Sequence, residues 1–275
     1  MQTTPSTQIV KIKTAYGPLE VGGPQFTVMA GPCSIESYDQ FLETAQSVKA
    51  HGAALLRGGI WKMRTSAKTF QGLGENSFDL IKAVCRQTQM GLVSEITDAR
   101  QIEEVYDVVD MFQVGSRNMH NYSLLKELGR QNKPILLKRG FASLIDEWIK
   151  AAEYITSGGN SNVILCERGI RTFETATRNT LDLNAVVYVK KNTSFPVIVD
   201  PSHAVGIRAL VPDLAIAAAA SGADGVIVEV HPRPKEALSD GPQSLTFDDF
   251  KSMMAKIEKV LNALDRPLQK TPALL

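Results

Sequence analysis

The chain has 275 residues, 44% hydrophobic and 21% charged, and its 30 Lys and Arg nearly cancel 29 Asp and Glu to leave a net charge of +1. That balance belongs to a globular protein with ample core material, and it excludes the general basicity that draws nucleic acid or membrane surfaces as partners. The N-terminal MQTTPSTQIVKIK has no apolar core of signal-peptide length, no run is long enough to span a membrane, and the odd, widely spaced Cys33, Cys85 and Cys166 argue against a disulfide framework and for a cytoplasmic location.

The chain begins with an alternating IVKIK, a Tyr-Gly-Pro turn and a short second run, which predict a β-hairpin over residues 8–22 small enough to cap a barrel. QFTVMAGPCSIES then reads as a strand ending in Gly-Pro. An amphipathic helix starts after Ser37 and stops at His51-Gly52. From there brief Val- and Ile-rich runs, too short for helices, alternate with helical segments. Strands are predicted near 26–31, 53–57, 91–95, 110–115, 134–138, 162–167, 196–200 and 224–230. Helices are predicted near 75–90, 99–108, 121–131, 143–157, 179–191 and 247–264, the last with a capping box at Thr246 and Asp249. Eight strand–helix units without a charged or low-complexity linker predict one α/β domain, a (β/α)8 TIM barrel over residues 25–265, with an open doubly wound sheet as the alternative. Residues 1–24 are the N-terminal extension with the hairpin, and 266–275 are expected to be a loosely attached tail.

A parallel barrel builds its site at the C-terminal tips of its strands. Here those tips are polar and the strand interiors apolar. In order the tips give Cys33, Arg57, Glu95, Arg117, Lys138 with Arg139, Glu167 with Arg168, Asp200 with His203, and Glu229 with His231. The loop after the second strand adds Lys62, Arg64, Thr65 and Ser66, and Asp240 follows the last strand in a turn-like Ser-Asp-Gly. Cys33, His203, Glu229 and Asp240 together would make a mixed divalent-metal site, although no local spacing such as CxxC or HExxH ties them to one another. A solitary basic residue is ordinarily a solvated charge or a salt bridge. Four of the eight strands with Arg or Lys at the same end instead suit a small, highly anionic ligand, since Arg offers a bidentate fork to phosphate or carboxylate. Basic runs with interleaved aromatics are absent, which disfavours nucleic acid. GLGENSF at 72–78 is neither a Walker A nor a Rossmann fingerprint. Cys85, Cys166, Trp61 and Trp148 read as structural, with Trp61 close enough to Lys62 to border a site, and His51 and His120 stand at helix ends.

The ordered string GPCSIES, LRGG-x-x-K-x-RTS, FQGLG, VGSRN, LLKRG, ILCERGIRTFETATRNTLDL, VDPSH and EVHP…ALSDGPQSLT, spread over residues 25–250, resembles the 3-deoxy-D-arabino-heptulosonate 7-phosphate synthases. The branch it resembles also includes the 3-deoxy-manno-octulosonate 8-phosphate synthases. The resemblance implies a metal-dependent, aldol-like condensation of phosphoenolpyruvate with erythrose 4-phosphate that releases phosphate, a transferase step at the head of the shikimate pathway. It implies a divalent metal (Mn²⁺ or similar, such as Fe²⁺, Co²⁺ or Zn²⁺) on Cys33, His203, Glu229 and Asp240. Phosphoenolpyruvate contacts fall on Arg57, Lys62, Arg117, Lys138 and Arg168, with Glu95 nearby, and aldose-phosphate contacts on Arg64, Thr65, Ser66 and Arg208. Lys138, His203, Lys62 and Glu95 form the candidate catalytic set, with Lys138 and His203 as candidate proton carriers. Relatives form dimers or tetramers, so a homo-oligomer is expected.

Three departures from the family pattern lie at the aldose end. Met63 replaces the proline of Lys-Pro-Arg-Thr, and losing its fixed φ should leave the loop more mobile. Ala67-Lys68 replaces Pro-Tyr, and Ala204-Val205-Gly206-Ile207-Arg208 is less glycine-rich and less basic than usual. An octulosonate synthase acting on arabinose 5-phosphate is therefore the first alternative, although Arg64-Thr65-Ser66 in place of an Asn-Arg-Ser-Ser segment favours the tetrose. A non-catalytic phosphosugar-binding barrel and a metal-dependent hydrolase are further alternatives, disfavoured by the intact metal and anion residues. No regulatory domain fits before residue 25 or after 265, so the isolated chain is expected to resist inhibition by phenylalanine or tyrosine.

Overall fold

The computed structural model describes residues 5–64, 66 and 68–271. The alternation in the first segment forms the hairpin: β1 (Val10–Thr14) pairs antiparallel with β2 (Gly17–Val21). Eight parallel strands follow: β3 (Thr27–Gly31), β4 (Leu55–Arg57), β5 (Leu92–Ile96), β6 (Met111–Val114), β7 (Ile135–Lys138), β8 (Val163–Glu167), β9 (Val197–Val199) and β10 (Gly225–Glu229). Each pairs with the next, and β10 pairs with β3, so the sheet closes into a barrel and the open-sheet alternative is excluded.

Around it lie α1 (Tyr38–Ala50), α2 (Phe78–Thr88), α3 (Gln101–Val105), α4 (Tyr122–Gly129), α5 (Ile145–Thr156), α6 (Leu183–Asn192), α7 (Pro201–Val205), α8 (Val211–Ala220) and α9 (Phe247–Ala263). Ser37 caps α1 and the Thr246–Asp249 capping box starts α9, as expected. Several helices are shorter than predicted. α3 occupies only part of 99–108. α6 starts late because Asp182 caps it, accepting from Ala185 N–H, while Thr180 pairs with Ile170 in a β-bridge. Among the described residues no helix is long and apolar enough to cross a membrane.

Strand alternation separates two cores. Val28, Leu56, Leu92, Phe112, Leu137, Leu165, Val199 and Val226 belong to the layer between barrel and helices. One side chain from every barrel strand (Met29, Leu55, Val93, Met111, Leu136, Ile164, Ile198 and Ile227) belongs instead to an inner cluster with Val10, Ile12, Leu19 and Val21. The hairpin thus seals the N-terminal mouth with its apolar face, which is why its sequence alternates. Leu19→Ala is expected to cost about 2–5 kcal/mol, because a rigid barrel collapses poorly around the void. Urea unfolding would measure it.

The C-terminal segment is not loosely attached up to residue 271. Phe26 N–H donates to the Pro267 carbonyl (2.8 Å) and Gln269 N–H to the Phe26 carbonyl (2.9 Å). The Gln269 side chain, 4% exposed, bonds Thr27 Oγ1 (2.7 Å) and both backbone groups of Glu20, joining tail, β3 and hairpin. The sequence predicts a loosely attached tail, but its polar groups satisfy backbone at the barrel's lower rim.

Candidate active site

Two residues beyond the apolar inner layer, the inward positions turn polar: Arg57, Glu95, Gln113, Lys138, Asp200 and Glu229 continue the period-2 pattern toward the strand tips. Gly31 ends β3 because a Cβ there would stand 2.1 Å from the Arg57 carbonyl, and this close approach leads directly into Pro32-Cys33.

Asp200 organises the seventh tip. Its Oδ1 caps α7 by accepting from His203 N–H (3.0 Å), with Pro201 in the first turn where proline is tolerated. Its Oδ2 accepts from His203 Nδ1 (2.7 Å) and Lys138 Nζ (2.6 Å). Burial alone would raise the Asp200 carboxyl, but His203 and Lys138 outweigh it and hold it well below the usual carboxylate range. An ionised carboxylate only accepts, so the imidazole proton sits on Nδ1 and Nε2 presents a lone pair. That lone pair faces Glu229 Oε1 (3.2 Å) and Asp240 Oδ2 (3.8 Å). Cys33 Sγ donates to Asp240 Oδ2 (3.3 Å). All four ligand atoms lie within 4.8 Å of one another. Three acceptors and a thiol converging on one point form a donor set that fits a divalent cation.

Burial pushes the Cys33 thiol up to about 12, with Glu229 adding to the rise. Burial also lowers the His203 pKa, against the pull of Asp200 and Glu229. The two carboxyls respond oppositely: burial would raise them, but His203 together with the nearby cations (Arg57 and Lys62 for Glu229, Lys62 and Arg178 for Asp240) outweighs it, leaving Glu229 below its ordinary value and Asp240 at about 2. Asp240 adopts a left-handed φ of 46°, which Asp tolerates in a turn. Its loop is pinned to the first tip by Ser239 Oγ–Ser34 Oγ (2.5 Å) and Leu238 N–H to Glu36 (2.9 Å).

A 310 Å³ cavity opens over this cluster, bordered by Arg57, Lys62, Arg64, Ser66, Glu95, Arg117, Lys138, Arg168, His203 and Asp240. Arg57, Lys62, Lys138 and Arg168 are all buried. Arg57 pairs with Glu229 (2.9 Å) and Lys138 with Asp200, whereas among the described residues no carboxylate lies within ion-pair distance of Lys62 or Arg168. Burial draws the Arg168 guanidinium down to about 10. Among the described residues the buried Arg57 Nε has no hydrogen-bond partner. Buried cations without a carboxylate in contact favour an anionic ligand. Phe141 lines the same cavity, with its ring under the guanidiniums of Arg117 (5.4 Å), Arg168 (4.9 Å) and Arg171 (5.0 Å).

Several expected members fall elsewhere. Thr65 lies outside the described residues. Arg208 does not border the cavity. Arg139, next to Lys138, points to the opposite face of its strand and pairs with Glu167 and Asp182 (2.9 Å each). His231 turns from the cluster to Glu36 (3.4 Å). Trp61 packs edge-on against Phe78 and does not border the cavity. Sequence reasoning missed Gln113, Phe141, Arg178 and Gln243. Gln113 alone carried a signal, as a polar residue at an inward position near a strand tip.

The sequence matches the 3-deoxy-D-arabino-heptulosonate 7-phosphate (DAHP) synthetase I family over residues 10–266. The chain belongs to the DAHP synthetase I family. It is similar to a phospho-2-dehydro-3-deoxyheptonate aldolase of Thermotoga maritima, 47% identical across 90% of this chain and 73% of that protein. A 2-dehydro-3-deoxyphosphooctonate aldolase of Methylobacillus flagellatus is 32% identical over 91% of this chain and 95% of its own length. The crystal structure of the T. maritima DAHP synthase matches with a TM-score of 0.90 at 42% identity, covering 98% of this chain and 80% of that one. A truncated form of the same enzyme matches at 0.88, with 42% identity and 96% of both chains covered. The DAHP synthetase I fold therefore accounts for the whole barrel, and the higher identity lies on the heptulosonate side of the two relatives.

Proposed function

We propose that the cavity holds phosphoenolpyruvate and erythrose 4-phosphate side by side, with a divalent metal on Cys33, His203, Glu229 and Asp240. The reaction is that of the family: an aldol-type condensation giving 3-deoxy-D-arabino-heptulosonate 7-phosphate and phosphate, at the entry to the shikimate pathway. One observation carries the division of labour. His203 and Asp240 of the four-ligand cluster border the same small cavity as Lys62 and Arg168, two buried cations without an ion-paired carboxylate among the described residues.

Arg117, Lys138 and Arg168 take the carboxylate and phosphate of phosphoenolpyruvate, offsetting the cost of bringing both out of water. Arg57 anchors Glu229 beside the same substrate. Arg64 and Ser66, which border the cavity, receive the phosphate of the tetrose. What a divalent ion supplies there when bound is Lewis acidity toward the tetrose aldehyde, and the thiolate–imidazole–carboxylate set suits Mn²⁺, Fe²⁺, Co²⁺ or Zn²⁺. A C–C bond then forms between C3 of the enol and C1 of the aldehyde. Water adds at C2, and phosphate leaves with its C2–O bond. His203 Nε2 faces the ligand cluster, so proton delivery to the new C1 alcohol falls to Lys62, with Lys138 as the alternative. Glu95 takes the proton released by water. Three buried, unpaired cysteines fit a cytoplasmic protein. Phe173, Ile207, Leu210 and Leu238, exposed on loops at the C-terminal end of the barrel, supply apolar surface for a homo-oligomer.

Phosphoenolpyruvate consumption by metal-stripped protein, with each aldose before and after Mn²⁺, tests this reading. Metal-dependent turnover with erythrose 4-phosphate is expected. Preference for arabinose 5-phosphate would move the assignment to octulosonate synthesis, and no turnover with either would sink it.

A further inference from the structure

We propose that Gln243 is a positioning residue that ties the metal ligand Glu229 to Arg178, so that the ligand cluster and the aldose end of the cavity are set as one unit. This rests on the metal reading above. Gln243 is 3% exposed and lies just past the Asp240 turn. Its Nε2 donates to Glu229 Oε2 (2.6 Å), and its Oε1 accepts from an Arg178 guanidinium N–H (3.0 Å). The other Glu229 oxygen is already engaged by Arg57 (2.9 Å) and faces His203. Gln243 therefore fixes the last rotational freedom of this carboxylate. Only an amide meets both neighbours, since it donates at one end and accepts at the other. A carboxylate here would confront Glu229, an ammonium would confront Arg178, and an apolar side chain would leave both unpaired.

Arg178 is placed to connect more than one ligand. Its backbone N–H donates to the Val205 carbonyl (3.0 Å), at the end of the short helix carrying His203. Gly206 terminates that helix at φ +69°, and a Cβ on it would stand 2.9 Å from Arg178 Cβ, so the arginine stem packs directly against this backbone. Arg178 and Asp240 both border the main cavity and a neighbouring one of 360 Å³ that Gln243 also lines. One arginine thus touches the helix bearing His203, borders both cavities beside Asp240, and reaches Glu229 through one amide. Its guanidinium has five N–H donors, of which Gln243 takes one, leaving a fork that suits the aldose phosphate.

Anaerobic Co²⁺ titration, read by the thiolate charge-transfer band, tests the relay alongside Michaelis constants. Gln243→Met is expected to raise the Co²⁺ Kd about tenfold or more, and to raise KM for erythrose 4-phosphate while KM for phosphoenolpyruvate stays within about twofold. Arg178→Met, at an exposed position that leaves the core untouched, guards against simple misfolding of the first variant. Loss of a positive charge alone would tighten cation binding, whereas the relay predicts a Co²⁺ Kd weakened about threefold, with the double variant no worse than Gln243→Met. Co²⁺ binding unchanged or tighter in Arg178→Met overturns the relay. Cys33→Ser separates the two levels: loss of the band there upholds the metal site whatever Arg178→Met does, and an unaltered band overturns the metal reading and the relay with it.

Discussion

Asp200→Asn is expected to lower kcat about 100-fold or more and to weaken divalent-metal binding by about 10- to 100-fold. The carboxylate serves three donors at once: the His203 backbone N–H, His203 Nδ1 and Lys138 Nζ. An asparagine keeps the N-cap but turns its NH₂ toward both the imidazole N–H and the ammonium. The imidazole then loses the partner that fixes its tautomer and keeps Nε2 free for the metal. Lys138 becomes a buried ammonium without its counter-ion, and removing one partner of such a pair costs about 3–5 kcal/mol. A lower urea midpoint, a raised Co²⁺ Kd and a fall in kcat should therefore appear together. Wild-type kcat and Kd in this variant would show that Asp200 only caps a helix.

The second large effect is on metal affinity across pH. In the metal-free protein Cys33 carries its proton at every ordinary pH, because burial pushes the thiol up to about 12. The other three proposed ligands are already in their binding forms near neutrality. His203, lowered by burial, is neutral, while Glu229 and Asp240, held below their ordinary values, are ionised. Binding an ion to the thiolate therefore releases about one proton, and affinity must rise with pH by about tenfold per unit. Chelator competition between pH 6.5 and 8.5 measures this slope. A flat profile would mean that the thiol is not a ligand. Below the lowered His203 pKa a second proton joins the count and the slope steepens.

Much of this site could be read from the chain because barrel geometry converts order into position. Val-Ile runs end where polar residues begin, so the tips named Cys33, Arg57, Lys138, His203 and Glu229 without coordinates. What the sequence left open was facing. Lys138 and Arg139 are adjacent, yet alternation sends one into the cavity and the other to Glu167 and Asp182 on the outer face. Gln243 and Arg178 come from loops separated by 65 positions, and nothing local marks them as partners. His231 sat at a strand end like a ligand, but the register turned it to Glu36. The tail was misread for a related reason: Gln269 looks like a solvent residue until Thr27 and Glu20 supply its partners.

Diffraction from crystals soaked in Mn²⁺ and phosphoenolpyruvate, with anomalous data for manganese, locates metal and substrate in one experiment. One strong peak is expected, bounded by Cys33 Sγ, His203 Nε2, Glu229 and Asp240. Phosphoenolpyruvate is expected beside that peak, with its carboxylate and phosphate on Lys138, Arg117 and Arg168. Manganese at another position, or phosphoenolpyruvate seated away from those cations, would contradict this arrangement.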